Sequence, residues 1–559
     1  MISARPIPRT TPHHRAEGRP IEFMHTPTHW STCPVPPRRR EAHFGNRVVN
    51  CFAERPRSFH AMFAAAVATH PEREALVFEG RRWTWHEAGC AVQRLSAGLR
   101  SSGIARGDRF ALFVSNRPEF FFLLFAIQQL GAIAVPIGTR EQRPGLAYML
   151  NQCGAVAIAF DAELAERIPD TVEAPGLRLR FYVGGAVPGA LPLAAIDAPP
   201  LADAAPVEEE DTAVILYTSG TTGSPKGAML THFNIAHSVL HFEACMGLTA
   251  QDRSALAVPA SHVTGLIAVI ATMVRTGGAT VIVPAFKAGS FVQLLAAERI
   301  THTLMVPAMY TLCLMQPAFG ILDLSHWRIG GYGGAPMPVA TIDALATQVP
   351  GLTPLNAYGA TETTSPVTLM PAGDTRDHAD SVGVVLPCAE VRVMDDDGRE
   401  VAAGESGELW IAGPMVVPGY WNNADATARE FTAGHWRSGD LGSIDAQGFV
   451  RVFDRKKDML NRGGFKVYSV EVENVLMGMP GVVDAAVIGK PCPVLGERVH
   501  AFVHAPDAPA GALDITAVQA FCASRLADYK VPESVTLSAE PLPRNANGKL
   551  LKRQLREMR

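Results

Sequence analysis

The chain has 559 residues, 47% of them hydrophobic and 19% charged, and carries a formal charge of −4. That length exceeds a single domain of about 100–200 residues, and the apolar share excludes wholesale disorder. A near-neutral balance leaves no basic footprint for nucleic acid, so no nucleic-acid partner is expected.

Residues 1–60 hold ten Arg, four Glu and six of the 18 His, which makes them basic and the remainder acidic. They contain no apolar stretch of the kind a secretory signal needs, and the prolines with Glu17, Glu22 and Glu41 argue against a transit peptide. Residues 1–55 therefore read as a disordered tail, with Met24 an alternative start. From about Phe59 the pattern becomes globular. An apolar run over 120–127 is followed by Gln128 and Gln129 and falls short of the ~18–20 residues that span a bilayer, so no transmembrane segment is expected. It predicts a core helix running into a buried strand over 132–137. Short apolar runs at 109–115, 155–160 and 280–283 alternate with helix-like stretches, the signature of βαβ units around a largely parallel sheet. A Pro/Ala/Glu-rich stretch over 198–210 leads into an apolar strand over 212–217, and a helix is predicted over 231–244. Near 451–457 the chain turns charged and a shorter α+β pattern follows, which places a domain boundary there. The nine cysteines are scattered without a CxxC, which supports neither a zinc cage nor a redox pair and fits a reducing, cytoplasmic setting.

Between the strand and the helix lies Thr218-Ser-Gly-Thr-Thr-Gly-Ser-Pro-Lys-Gly227, with three glycines and five Ser/Thr in ten residues. Bare backbone N–H groups and hydroxyls in such a loop suit a polyphosphate, and Lys226 adds a point charge. It is not a Walker A loop, because Pro225 stands where the second Gly belongs.

With this loop in place the sequence resembles the adenylate-forming superfamily, and within it the acyl-CoA synthetases, in an ordered match over roughly residues 60–559. The loop looks like the family's phosphate loop, and Tyr358-Gly-Ala-Thr-Glu-Thr-Thr364 like its nucleotide motif. Trp436-Arg-Ser-Gly-Asp-Leu-Gly442 resembles the ribose segment, Asp454-Arg-Lys-Lys-Asp458 the hinge, and Pro543-Arg-Asn-Ala-Asn-Gly-Lys549 the catalytic-lysine motif. The resemblance implies an α/β fold: a large N-terminal domain of βαβ-type sheets with a β-barrel-like subdomain, over 56–454, and a small mobile α+β C-terminal domain over 455–559.

The implied site follows residue by residue. ATP or AMP would be held by Thr218, Ser219, Gly220, Thr221, Thr222, Gly223 and Lys226, by Gly333, Gly334, Ala335 and Pro336, and by Asn356, Tyr358 and Gly359. Asp440 would accept from the ribose hydroxyls and Arg455 would help hold ribose or phosphates. Thr361 would donate to the α-phosphate. Glu362 offers the hard oxygen that Mg²⁺ takes beside phosphates. Lys549 would stabilise charge growing on the α-phosphate during attack by the acid. Lys457 falls at the hinge, and Gly463, Gly464, Phe465 and Lys466 resemble the loop lining the pantetheine tunnel of CoA.

The acid itself is expected near His262, Val263, Thr264, Gly265 and Tyr332. His262 stands at a pocket or gating position, and no Asp lies there to pair with an ammonium. A medium- or long-chain fatty acid or an aromatic acid is the expected substrate, with ATP, Mg²⁺ and CoA as cofactor and co-substrates. The alternative is a stand-alone ligase that loads a carrier protein. Oligomeric assembly is left open. Of 50 cationic Lys and Arg only nine are Lys, and five of those (Lys226, Lys456, Lys457, Lys466 and Lys549) fall inside these motifs.

Overall fold

A computed structural model describes residues 28–30, 33–196, 198–218, 225–463, 465–506, 513–544 and 550–558. Two large sheets form the body. The first has seven strands in the order Lys226–Thr231, Thr212–Thr218, Ile133–Pro136, Arg109–Phe113, Ala155–Asp161, Leu179–Val183 and Leu191–Pro192. All its pairings are parallel except that of Thr212–Thr218 with Lys226–Thr231. The second has nine strands, with a parallel centre of Ala279–Ile282, Arg253–Leu256, His302–Met305, Ile329–Tyr332 and Thr353–Ala360. The first four of these are nearly continuous runs of buried residues, as strands covered on both faces must be.

The helix predicted at 120–127 is Pro118–Gln129, with Pro at its first turn where a missing N–H costs nothing. Its two glutamines are not a polar exit: Gln128 Nε2 donates to Ala213 O at 2.9 Å and Gln129 Nε2 to Leu201 O at 2.7 Å, both from buried positions. The helix Trp85–Ser101 starts with a capping box between Thr84 and Glu87 and packs against Pro118–Gln129 in the same core. Asn116 ties the two sheets together. Its Nδ2 donates to the carbonyls of Val258 (2.9 Å), Val283 (3.2 Å) and Leu256 (3.3 Å), while its Oδ1 accepts from Ala260 N.

The expected barrel-like subdomain is a five-stranded antiparallel sheet: Glu390–Met394, Gly407–Ala412, His435–Ile444 and Phe431–Thr432, with Val450–Arg455 also on His435–Ile444. Its apolar face closes a core with Val367 of the neighbouring sheet. The chain passes from this sheet to the last one between Arg455 and Leu460. There, Phe465–Val467, Leu460–Arg462, Gly496–His504 and Asp484–Cys492 are joined by the parallel strand Ser534–Ser538, with helices Ser469–Met477, Ile515–Ala523 and Lys552–Glu557 beside them.

The expectation of a disordered tail over 1–55 is corrected for residues 33–55. Strands Arg38–His43 and Arg47–Phe52 form an antiparallel hairpin whose Val49, Cys51 and Phe52 are buried. Arg55, just beyond the hairpin, is paired rather than solvated. It makes a double hydrogen bond to Glu41 at 2.7 and 2.9 Å and another to Glu209 at 2.8 and 2.9 Å, so its charge is met by one carboxylate of the hairpin and one from a distant part of the chain.

Candidate functional site

The central strands of the nine-stranded sheet run parallel, so their carboxyl ends share one edge. In open α/β sheets ligands bind there. The edge collects three expected segments: residues 257–265 after Arg253–Leu256, residues 333–336 after Ile329–Tyr332, and residues 356–364 at the end of Thr353–Ala360. Gly333, Gly334, Ala335 and Pro336 form a largely exposed turn, with Gly334 at φ +78°. Close approach explains two glycines here. A Cβ on Gly333 would sit 2.3 Å from the Ala357 carbonyl oxygen, and one on Gly359 only 1.5 Å from the Ser365 carbonyl oxygen. Asn356 is buried and its Nδ2 donates to Ser381 O at 3.0 Å, leaving its Oδ1 as the atom able to receive an amine.

Tyr358 projects from this edge toward the five-stranded sheet, where its hydroxyl donates to Asp440 Oδ2 at 2.6 Å. Asp440 and Arg455 are cross-strand neighbours, and Arg455 Nε lies 2.5 Å from Asp440 Oδ1. The Asp440 charge raises the Arg455 pKa further, and burial together with that charge pushes the Tyr358 phenol well above its ordinary value. Asp440 is buried and keeps an unused lone-pair direction on each oxygen, which suits the acceptor role expected of it.

Thr361–Thr363 form a single 3₁₀ turn that delivers Glu362, which is 7% exposed. Tyr420, absent from the sequence reading, organises this carboxylate. Its hydroxyl lies 2.9 Å from Glu362 Oε1 and 2.6 Å from Glu430 Oε2, and its single proton serves one of them at a time. Lys226 completes the set: its Nζ is 2.5 Å from Glu430 Oε2, 3.4 Å from Tyr420 Oη and 4.4 Å from the Tyr420 ring centroid. Lys226, the expected phosphate contact, is held here by Glu430. It is a buried residue of the strand Lys226–Thr231 with a carboxylate partner, because that strand turns back antiparallel on Thr212–Thr218. Thr218 ends the first strand at the mouth of the loop; Ser219, Gly220, Thr221, Thr222 and Gly223 lie outside the described residues. One buried carboxylate, Glu362, fits Mg²⁺, which binds through one or two carboxylates and substrate phosphates while keeping several waters.

His262 is half-buried, with Nδ1 3.2 Å from Thr264 Oγ1. Val263 is buried, and Thr264 opens a π-helical run, Thr264–Ala271, a geometry that recurs at functional sites. Gly265 is required by contact, since a Cβ there would lie 2.3 Å from Pro259 O. Tyr332 is fully buried among Met305, Tyr310 and Met337, and burial pushes its phenol up to about 12.

At the crossing to the last sheet, burial lowers the Lys457 pKa. Its carbonyl and the Asp458 carboxylate receive Arg556 from the C-terminal helix, at 3.4 and 2.8 Å. A buried polar knot sits beside it. Asp454 Oδ2 accepts from Ser469 N and Oγ at 2.5 and 2.7 Å, and Lys552 Nζ donates to Ser469 Oγ at 2.5 Å and to Glu473 Oε1 at 2.7 Å. Burial raises both carboxyl pKa values. Gly463, at φ +59°, and the exposed Phe465 and Lys466 belong to one hairpin, with Phe465 stacked on Tyr529 at 4.7 Å. Gly464 and Lys549 lie outside the described residues.

Models of the AMP-binding enzyme and the AMP-binding enzyme C-terminal domain match residues 63–421 and 471–549. The chain belongs to the AMP-binding enzyme family. It is 36% identical over 486 residues to a feruloyl-CoA synthase from Amycolatopsis sp, covering 87% of this chain and 96% of that protein. It is 35% identical over 480 residues to a long-chain-fatty-acid–CoA ligase from Mycobacterium tuberculosis, covering 85% and 93%. Among solved structures it resembles an anthranilate CoA ligase in complex with anthranoyl-AMP (TM-score 0.83, 26% identity, 89% of this chain and 96% of that one). It also resembles the o-succinylbenzoate CoA synthetase of Bacillus subtilis with ATP and magnesium ion (TM-score 0.79, 27% identity, 90% and 99%). No helix among the described residues is long and apolar enough to cross a membrane.

Proposed function

We propose that this AMP-forming acid–thiol ligase activates a medium- or long-chain fatty acid or an aromatic acid with ATP as the acyl-adenylate, and passes the acyl group to CoA. One observation carries the site assignment. The Tyr420 hydroxyl joins Glu362 to the Lys226 strand that follows the Ser/Thr/Gly loop, while Tyr358 joins the same segment to Asp440 and Arg455. Three motifs far apart in sequence thereby face one sheet edge.

In this reading Asp440 accepts from the ribose hydroxyls while Arg455 and Tyr358 hold it in place. Asn356 and the 333–336 turn meet the base. Thr361 donates to the α-phosphate, and Lys226 and Glu430 fix the strand that carries the loop. Glu362 would hold Mg²⁺, which when bound neutralises charge on the phosphate oxygens. Lys549 stabilises the charge that grows as the carboxylate oxygen attacks the α-phosphorus and pyrophosphate departs. The thiol of CoA then attacks the acyl carbon and AMP leaves, with Gly463, Gly464, Phe465 and Lys466 along its approach and Lys457 as the pivot between 56–454 and 455–559. His262, Val263, Thr264, Gly265 and Tyr332 line the acid. The uncharged character of this lining and the aryl and long-chain acids named for the relatives support an acid without an ammonium. Nine free cysteines support a cytoplasmic setting.

The test is release of pyrophosphate and AMP, and formation of thioester, across short, medium, long-chain and aromatic acids with CoA or a holo-carrier protein as acceptor. Thioester with CoA on long or aromatic acids is expected. Preference for the carrier, or for amino acids, would overturn this reading.

A further inference from the structure

We propose that Arg47, from the hairpin that precedes the matched family span, is a positioning residue for Glu362; this rests on the reading of Glu362 as the metal-binding carboxylate. The chain from Gly413 to Trp421 is largely buried yet irregular, so its carbonyls need partners that no regular ladder supplies. Arg47 provides them. Its Nη1 donates to Val416 O and Val417 O, both at 3.0 Å, and its Nη2 to Pro418 O at 3.3 Å. Asn234 adds bonds to Pro414 O and Val416 O.

This fastened segment holds Glu362 at two points. Val417 N donates to the Glu362 carbonyl at 2.9 Å, and three residues on, the Tyr420 hydroxyl meets Glu362 Oε1. The same segment sets the loop strand, since Met229 N donates to Gly419 O and Trp421 N to Gly227 O. Arg47 is itself buried, between the Phe44 and Phe431 rings, and reaches three carbonyls only because a guanidinium presents a rigid fork of donors. The hairpin ends at Phe52, while the family match begins at residue 63. A device outside the matched span therefore fixes a residue inside it.

The test compares Arg47→Ala with Val49→Ala, which removes a buried side chain from the same hairpin but leaves the fork intact. Arg47→Ala is expected to speed amide exchange in residues 413–421 about tenfold or more relative to the helix His232–Met246, as loss of a buried hydrogen-bond partner implies. It is also expected to raise the Mg²⁺ needed for half-maximal adenylation about tenfold. Thioester formation from supplied acyl-adenylate stays within about twofold, and added guanidinium restores the Mg²⁺ dependence. Val49→Ala lowers the melting temperature without moving the Mg²⁺ dependence. Should Arg47→Ala not fold, Arg47→Lys, which keeps a cation but loses the fork, is read the same way. An unmoved Mg²⁺ dependence in the Arg47 variant, or the same shift in Val49→Ala, overturns the proposal. Glu362→Gln separates the two readings. If it leaves the Mg²⁺ dependence unchanged, the metal-binding assignment fails; if it shifts that dependence and Arg47→Ala does not, only the role of Arg47 fails.

Discussion

Lowering the pH from 7.5 to 5.5 should weaken the large body through three histidines of one helix. His232, His237 and His241 are buried on His232–Met246, and each accepts a backbone N–H: from Phe59 at 3.1 Å, Phe52 at 3.2 Å and Cys388 at 3.3 Å. An accepting ring nitrogen cannot carry a proton, and burial lowers the three pKa values to about 4, 3 and 3. Unfolded histidine titrates near 6.5, so these groups bind fewer protons in the native state than in the unfolded one. Their contribution is intact above pH 6.5, is lost progressively as the pH falls below that value, and stops falling only near the folded pKa values. One unit below 6.5 each costs about 1.4 kcal/mol, or about 4 kcal/mol for the three, a large share of the ~5–15 kcal/mol typical of a domain. Urea unfolding followed by tryptophan fluorescence at pH 7.5, 6.5 and 5.5 measures this. His237→Gln, which retains an acceptor but no titrating group, should lose about 1.4 kcal/mol less than the parent over the same interval. An identical pH slope in the two proteins would refute the argument.

Three further outcomes follow from contacts elsewhere. Arg328→Ala leaves buried Asp252 without the guanidinium at 2.6 and 3.0 Å, so stability should fall by about 2–3 kcal/mol in denaturant melts while kcat per folded molecule is retained. Gly359→Ala drives a Cβ into the Ser365 carbonyl; a backbone shift beside Glu362 should reduce adenylation at least about 10²-fold in pyrophosphate exchange. Lys549→Ala should cut adenylation roughly 10²–10³-fold yet still make thioester from supplied acyl-adenylate, as separate half-reaction assays would reveal.

The body was legible where local chemistry and tertiary placement agree. The helix Pro118–Gln129 and the strand Thr212–Thr218 follow from apolar runs bounded by Pro, Gly or polar residues. The strand Lys226–Thr231 was hidden, because its Lys and Gly read as the end of a loop and its pairing partner lies across that loop. The hairpin over 38–52 was hidden for an electrostatic reason. Arg38-Arg-Arg reads as a solvated tail, and nothing local reveals that Glu209, 154 residues on, neutralises Arg55. Tyr358, Asp440 and Arg455 were legible through their motifs, whereas Tyr420 was not. Its importance comes from meeting Glu362 and Lys226, 58 and 194 residues away, and Pro418-Gly-Tyr-Trp421 carries no chemical signature of either contact.

The knot of Asp454, Ser469, Lys552 and Glu473 has an energetic consequence for any turn about Lys457. Asp454 is the penultimate residue of the last strand of the five-stranded sheet, whereas its three partners ride on the helices of the small domain. Turning one against the other would strip a carboxylate of both Ser469 hydrogen bonds unless water reached it first. Those four side chains would therefore oppose such a turn, and water reaching Asp454 would weaken that opposition.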